Sequence, residues 1–342
     1  MHFDAAFYEV FSEEERLLRK YLPNDKKYLM TPSTIQEYGE EETLADIISI
    51  RTQSRIPEKW ACNIRAIITR STGYDHVLEY IGNTGAKISC AYLPDYAARA
   101  VAEHAIMMMA ALLRKLPEQQ ESLKKFHRDG LTGSEIRNRR LTVIGVGRIG
   151  SEIVDIANGL RMKLTGVDIA PKNEIARKYS LSYLPLEEGL GIADVAICAL
   201  PLTNITLGLL NYQILKLMPQ GSIFINIARG EISPSADLLK LLEEKHLSAV
   251  GLDVYEYEKE LAAVLRGGED PGKVPGAAAK SIKASMELMR RTNAITTPHN
   301  AFNTSESVER KCIRTAENIA EYFRNGKFIT PIDFQQSWIN LK

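Results

Sequence analysis

Three residues with complementary chemistry follow predicted strands in the second half of the chain. Arg229 comes directly after GSIFINIA, Glu258 closes GLDVYEYE, and His299 follows NAITTP. A guanidinium can grip a carboxylate with two hydrogen bonds while polarising a neighbouring carbonyl. An imidazole can exchange a proton with a carbonyl oxygen, and a nearby carboxylate keeps that imidazole protonated and oriented. Such a trio suits hydride transfer to a 2-keto acid. Taken singly each residue has a blander reading: a surface arginine, a structural histidine, an acidic turn. For Glu256, in the same acidic cluster as Asp253 and Glu258, a solvated turn is the reading adopted here.

Hydride chemistry needs a carrier, and the stretch Leu141 to Gly159, LTVIGVGRIGSEIVDIANG, supplies a place for one. A β-favouring run enters a turn punctuated by Gly145, Gly147 and Gly150 and leaves as an apolar-periodic helix through Ile149, Ile153 and Ile156. In this spacing the first glycine permits the turn, the second lets a pyrophosphate approach the backbone, and the third lets helix and strand pack closely. The helix N-terminus offers N–H groups to the phosphates. A second strand, KLTGV, ends at Asp168, 18 residues after Gly150. That interval is expected for an acid that accepts hydrogen bonds from the ribose hydroxyls, which favours NAD over NADP.

The elements that must position these residues alternate regularly. FDAAFYEV, KKYLM, ADIISIRT, IRAIITRS and KISCAYL predict strands, with helices at SEEERLLRKYL and DHVLEYIGNTG. From the strand that enters the glycine turn onward, the same rhythm predicts up to seven strands. Alternation of this kind implies parallel sheets in an α/β fold, with ligands beyond the carboxyl ends of the strands. Leu93 to Ala97, containing Pro94, reads as a break, and Ala98 to Leu116 as one long helix that is apolar on nearly every side from Ala105 to Leu113. A helix without a polar face is buried in a core or between subunits. The run Met107, Met108, Met109 is read as packing, and the whole helix as a homodimer contact.

Composition bounds the remaining choices. The 342 residues suggest two domains. Lysine plus arginine and aspartate plus glutamate are each 43, so no basic footprint for nucleic acid or an anionic membrane exists. The four cysteines form no CxxC or Cys/His cluster, which argues against a zinc site and a disulfide framework; Cys62 and Cys198, in apolar runs, read as buried thiols. The acidic N-terminal stretch does not suit a signal peptide, and the longest apolar run is about half the ~20 residues that span a bilayer. A cytoplasmic location is the expectation.

The ordered motifs GVGRIG with Asp168, NIARGEI, GLDVYEYE and TPHNAF resemble the D-isomer-specific 2-hydroxyacid dehydrogenases. TRSTGYDHV and PDYAARAVAEHA extend the resemblance into the first domain, from about residue 46 to 330. It implies two doubly wound parallel-sheet domains, a Rossmann NAD-binding domain (98–300) inserted in a flavodoxin-like substrate domain (1–97 and 301–342). It implies that His299 is the acid/base, Glu258 its partner, and Arg229 the ligand of substrate carboxylate and carbonyl. Thr72 and Gly73 are expected to offer backbone N–H groups to the substrate carboxylate, with Tyr96 bordering the substrate. Cofactor contacts are expected at Gly145, Gly147, Arg148, Ile149, Gly150, Asp168, Ala199, Pro201, Ile227, Ala228 and Asp253, the last near the nicotinamide amide. The alternative is an NAD(H)-binding regulatory protein on the same scaffold. Forty residues separate Glu258 from His299, a long insert similar to the D-lactate dehydrogenase branch, and its middle, RGGEDPGKVPGAAAK, reads as mobile.

Overall fold

A computed structural model describes residues 2–267, 274 and 276–334 and resolves two compact units. Met1–Ala97 and Asn303–Lys342 form the first, Ala98–Phe302 the second.

The first unit opens with β1 (Phe3–Phe7), α1 (Ser12–Tyr21), β2 (Tyr28–Met30), α2 (Ile35–Tyr38), β3 (Ala45–Ile50), β4 (Ala66–Thr69), α3 (Asp75–Thr84) and β5 (Ser89–Ala91). The strands are nearly all apolar because helices cover both sheet faces. They pair in parallel in the order β2-β1-β3-β4-β5, the flavodoxin-like arrangement. Cys62 departs from the sequence expectation: it is exposed. It ends a 3-10 turn, Glu58–Cys62, whose three-residue period puts Trp60 in the core and the cysteine on the outer side.

Helix α1 is oriented by its charges, with Glu13, Glu14 and Glu15 in its first turn and Arg19 and Lys20 in its last, as the helix dipole favours. Glu14 also accepts the Phe11 N–H at 3.1 Å. This carboxylate is wholly buried, ion-paired to Lys311 and 3.7 Å from the Arg70 guanidinium. Burial pushes the Lys311 ammonium down to about 8, against the opposing pull of Glu14. Lys311 lies on the last helix of this unit, α13 in chain order (Ser305–Asn325), which packs on α1.

The second unit begins with α4 (Ala98–Leu113) and α5 (Leu116–Leu123). The single long helix expected to Leu116 is therefore two. Pro117 lacks the N–H that would reach back to the Leu113 carbonyl and continue α4, whereas in the first turn of α5 no such donor is needed. Lys115 turns left-handed, with φ +51°, and the freed Leu113 carbonyl accepts from Ser134 N at 2.7 Å. Helix α4 packs along the strands Ser222–Asn226, Leu247–Leu252 and Ala294–Thr296 and against the helix Arg148–Gly159, so its apolar sides are largely used inside its own unit.

The unit continues with β6 (Arg140–Ile144), α6 (Arg148–Gly159), β7 (Lys163–Val167), α7 (Asn173–Tyr179), β8 (Ser182–Tyr183), α8 (Leu186–Gly191) and β9 (Val195–Cys198). Then come α9 (Tyr212–Leu215), β10 (Ser222–Asn226), α10 (Ser235–Glu243), β11 (Leu247–Leu252), α11 (Glu258–Leu265), α12 (Gly276–Leu288) and β12 (Ala294–Thr296). Seven parallel strands run in the order β12-β11-β10-β9-β6-β7-β8. The order reverses between β6 and β9, the switch point beside which such sheets bind ligands. Of the segment expected to be mobile, residues 268–273 and 275 lie outside the described residues. Its end, GAAAK, is the start of α12, a run of strong helix formers. Ile282 and Leu288 bury that helix in the core of the unit, and α12 packs on α10.

Candidate active site

The glycine turn follows from what a side chain would meet there. Gly145 has φ +91°, and a Cβ would lie 2.8 Å from the Ala199 carbonyl oxygen. A Cβ on Gly150 would run into the Gly145 carbonyl oxygen. Gly147, which precedes the first residue of α6, is different: a Cβ there meets nothing within 4 Å. Two glycines are therefore needed for close packing, and the third leaves open backbone at a helix N-terminus, where Arg148 and Ile149 begin the first turn. That opening fits the phosphates of a dinucleotide. Asp168, just past β7, is braced on the same turn. Its Oδ2 accepts from Val146 N at 2.7 Å and its Oδ1 from Ala170 N at 2.8 Å. A carboxylate has about four acceptor positions, so capacity for ribose hydroxyls remains.

Past β9, Ala199 donates its N–H to Ile144 O, and the Pro201 carbonyl accepts from Thr206 Oγ1 at 2.7 Å. Past β10, Ile227 and Ala228 are buried. Their turn is tied by Asn226, a residue the sequence reading missed. Its Nδ2 donates to Arg229 O at 2.8 Å and Ser233 Oγ at 2.7 Å, and its Oδ1 accepts from Ala228 N at 2.9 Å. An asparagine ending an apolar strand was the available signal, and the structure buries it wholly. Arg229 donates from Nη1 to Ala228 O at 2.8 Å. Gly230 opens a 3-10 turn, and a Cβ on it would collide with the backbone of Tyr255 and Glu256.

Glu256 corrects the expectation of a solvated turn. Its Oε2 accepts from Ser235 N at 2.9 Å and Ser281 Oγ at 2.8 Å. Pro234, just before α10, has no side-chain acceptor, so this carboxylate caps the helix from another loop and ties it to α12.

His299 and Glu258, with forty residues between them in sequence, meet. The imidazole Nδ1 is 2.9 and 2.8 Å from the two carboxylate oxygens. Because a carboxylate only accepts, Nδ1 carries the proton, and Nε2 is the nitrogen left for other chemistry. Both side chains are 24% exposed, accessible yet partly desolvated. His299 has φ +51° and Tyr257, before Glu258, φ +52°, left-handed conformations that cost such residues ~1 kcal/mol each and need support.

That support comes from Asp253, 1% exposed just past β11. Its carboxylate accepts from Thr297 Oγ1 at 2.5 Å, Asn300 N at 2.8 Å and Ala301 N at 2.9 Å. Three donors around His299 are thus fixed by one acid. Sequence reasoning placed Asp253 by resemblance and did not foresee this anchoring.

In the first unit, Thr72 and Gly73 lie past β4. Thr72 Oγ1 donates to Leu93 O at 3.1 Å, and Gly73 O accepts from Ser71 Oγ at 2.7 Å. Tyr96 is buried, its carbonyl accepting from Arg310 Nε at 2.9 Å. Among the described residues no group of His, Cys, Asp and Glu could hold a metal ion, and no helix is long and apolar enough to cross a membrane.

Residues 106–301 match the family described as D-isomer specific 2-hydroxyacid dehydrogenase, NAD binding domain. The chain belongs to this family. A glyoxylate reductase of Pyrococcus furiosus is 26% identical over 92% of this chain and 86% of its own length. An aromatic 2-oxoacid reductase of Clostridium sporogenes is 30% identical over 78% of this chain and 77% of its own. Among solved structures, D-lactate dehydrogenase from Aquifex aeolicus, complexed with NAD and lactic acid, superposes with a TM-score of 0.82 at 25% identity, covering 96% of this chain and all of that one. As a D-2-hydroxyacid dehydrogenase the chain is an NAD-dependent oxidoreductase, and the turn at Gly147 with Asp168 is where its own residues suit that cofactor.

Proposed function

We propose that the protein reversibly reduces a 2-keto acid with a lactate-like or larger side chain to the D-2-hydroxy acid, with His299 as the acid/base. The observation that carries this reading is the hydrogen bond of His299 Nδ1 to both oxygens of Glu258. Glu258 orients the ring through its Nδ1–H, and Nε2–H gives its proton to the carbonyl oxygen. Arg229 binds the substrate carboxylate and polarises the carbonyl, and from the first unit the Thr72 and Gly73 amides add donors for the carboxylate, with Tyr96 at the substrate's border. When bound, the nicotinamide supplies the hydride that reaches the carbonyl carbon. The Gly145–Gly150 turn, Ala199, Pro201, Ile227, Ala228 and Asp253 hold the dinucleotide, and Asp168 selects the ribose with a free 2′-hydroxyl by repelling a 2′-phosphate.

The relatives' names span glyoxylate, aromatic 2-oxo acids and lactate, so the assay must span them too. Oxidation of NADH and NADPH would be followed with pyruvate, phenylpyruvate, branched 2-keto acids, glyoxylate, hydroxypyruvate and oxaloacetate, with product chirality checked. The expected result is D-product from pyruvate or a larger substrate, and kcat/KM at least about tenfold higher with NADH, since like charges brought together cost several kcal/mol. No turnover of any of them would refute the proposal.

The homodimer stays part of this reading on narrower grounds. Most of α4 is buried in its own unit, and the apolar surface left nearby is Met107, Leu116, Leu123 and Phe126, which are 46 to 78% exposed. Sedimentation at micromolar concentration should give a dimer, and a monomer alone would contradict it.

A further inference from the structure

His104 lies on α4, far in sequence from the residues so far given a catalytic part, and its side chain is 16% exposed. Its Nε2 is 3.0 Å from Thr297 Oγ1 and 3.8 Å from Asp253 Oδ1. The direction of these bonds is settled by counting protons. Asp253 accepts two backbone N–H groups, from Asn300 and Ala301, and a carboxylate has no proton to give. Thr297 Oγ1, 2.5 Å from it, must give its only proton to that carboxylate. The contact with His104 then has one polarity: Nε2–H donates to the threonine oxygen. Burial lowers the His104 pKa although Asp253 pulls the other way, so the neutral Nε2–H tautomer suffices.

Thr297 is fixed at every other polar atom as well. Its N–H donates to Leu252 O at 2.9 Å, and its carbonyl accepts from Tyr255 Oη at 3.0 Å and from His299 N at 3.0 Å. The chain of donors thus runs from a core helix through Thr297 to Asp253, and from Asp253 to the two residues after His299. Hydrogen bonds in such a buried series strengthen one another.

We propose that His104 is a positioning residue for the reaction: by donating to Thr297 it fixes the hydroxyl on Asp253, and so holds the 297–301 segment that keeps His299 in its left-handed conformation facing Glu258. The proposal rests on the reading of His299 as the acid/base. In this role His104 acts through Thr297 and not on the reacting atoms. It acts from a helix that packs on β12, immediately before Thr297.

The test compares His104→Phe, His104→Gln and Thr297→Val, singly and with His104→Phe and Thr297→Val combined. Two readouts are needed: amide exchange and the His299 ring resonance by NMR, and steady-state kinetics with NADH and the best 2-keto acid. In His104→Phe the Asn300 and Ala301 amides should exchange about tenfold faster, kcat should fall about tenfold, the cost of roughly one such hydrogen bond, and KM for NADH should stay within about twofold. His104→Gln, which keeps a donor near the Nε2 position, should restore most of both. The double variant should be no worse than Thr297→Val alone, because the two residues act in series. Unchanged Asn300 and Ala301 exchange with an unmoved His299 resonance in His104→Phe would overturn the proposal. So would losses that multiply in the double variant, or protection lost equally through the β6 amides, which would mean general packing. Absence of turnover in the wild-type protein would refute the assignment of His299, while the exchange data would still decide whether His104 holds the segment.

Discussion

His299→Ala should lower kcat for 2-keto acid reduction by at least ~10²-fold, the lower end of what a positioned acid/base contributes. The substitution removes the one nitrogen, Nε2, that the Glu258 contact leaves for proton exchange. It should leave dinucleotide affinity within about twofold, since the open turn at Gly147 and the acid Asp168 belong to other strand ends. Stopped-flow reduction and NADH fluorescence titration separate the two effects. Alanine at 299 would also relax little of the backbone strain, because a left-handed conformation is unfavourable for alanine too. A loss of less than about tenfold in kcat would mean that another group, or water, delivers the proton.

Gly230→Ala is expected to be the most damaging single-methyl change near the site. The added Cβ would meet backbone atoms of Tyr255 and Glu256, which cannot rotate away as a side chain can. Neither partner loop is free to retreat. Tyr255 Oη is bonded to the Thr297 carbonyl, and Glu256 caps α10 and holds Ser281 of α12. Overpacking typically costs 1–3 kcal/mol, and a clash between two pinned loops should lie at about 3 kcal/mol or above. The urea midpoint should drop accordingly, and activity should fall beyond the loss of folded protein, since Arg229 and Glu258 flank the collision in sequence. A Tm and kcat within error of wild type would show that the loops have slack the structure does not suggest.

Much of the site was legible because it depends on local sequence. The three glycines, Asp168, and the positions of Arg229, Glu258 and His299 after strands follow from turn chemistry and from the rule that ligands gather at the carboxyl ends of parallel strands. The pairing of His299 with Glu258 was inferred across a forty-residue insert only by chemistry and resemblance. What was missed depends on contacts that no spacing announces. Glu256 looked like an exposed acid because its partners, Ser235 and Ser281, sit on helices whose approach only the tertiary fold decides. Cys62 looked buried because a 3-10 turn shifts which residue faces the core. The break after Leu113 was passed over because Arg114, Lys115 and Leu116 are all good helix formers, although Pro117 was its visible cause. His104 stands just before the apolar run from Ala105, and no spacing announces its contact with Thr297. The burial of Glu14 with Lys311 joins opposite ends of the chain and has no local trace at all.

The pairing of His299 with Glu258 carries the proposed mechanism, and the kinetics of Glu258→Gln beside wild type and His299→Ala test it most directly. The amide keeps the shape but removes the carboxylate that faces Nδ1 with both of its oxygens. In Glu258→Gln, kcat for 2-keto acid reduction should fall at least ~10-fold with NADH affinity within about twofold of wild type, and the variant carrying both substitutions should be no slower than His299→Ala alone, because the two side chains act as one unit. A kcat within error of wild type in Glu258→Gln, or losses that multiply in the double variant, would contradict the pairing.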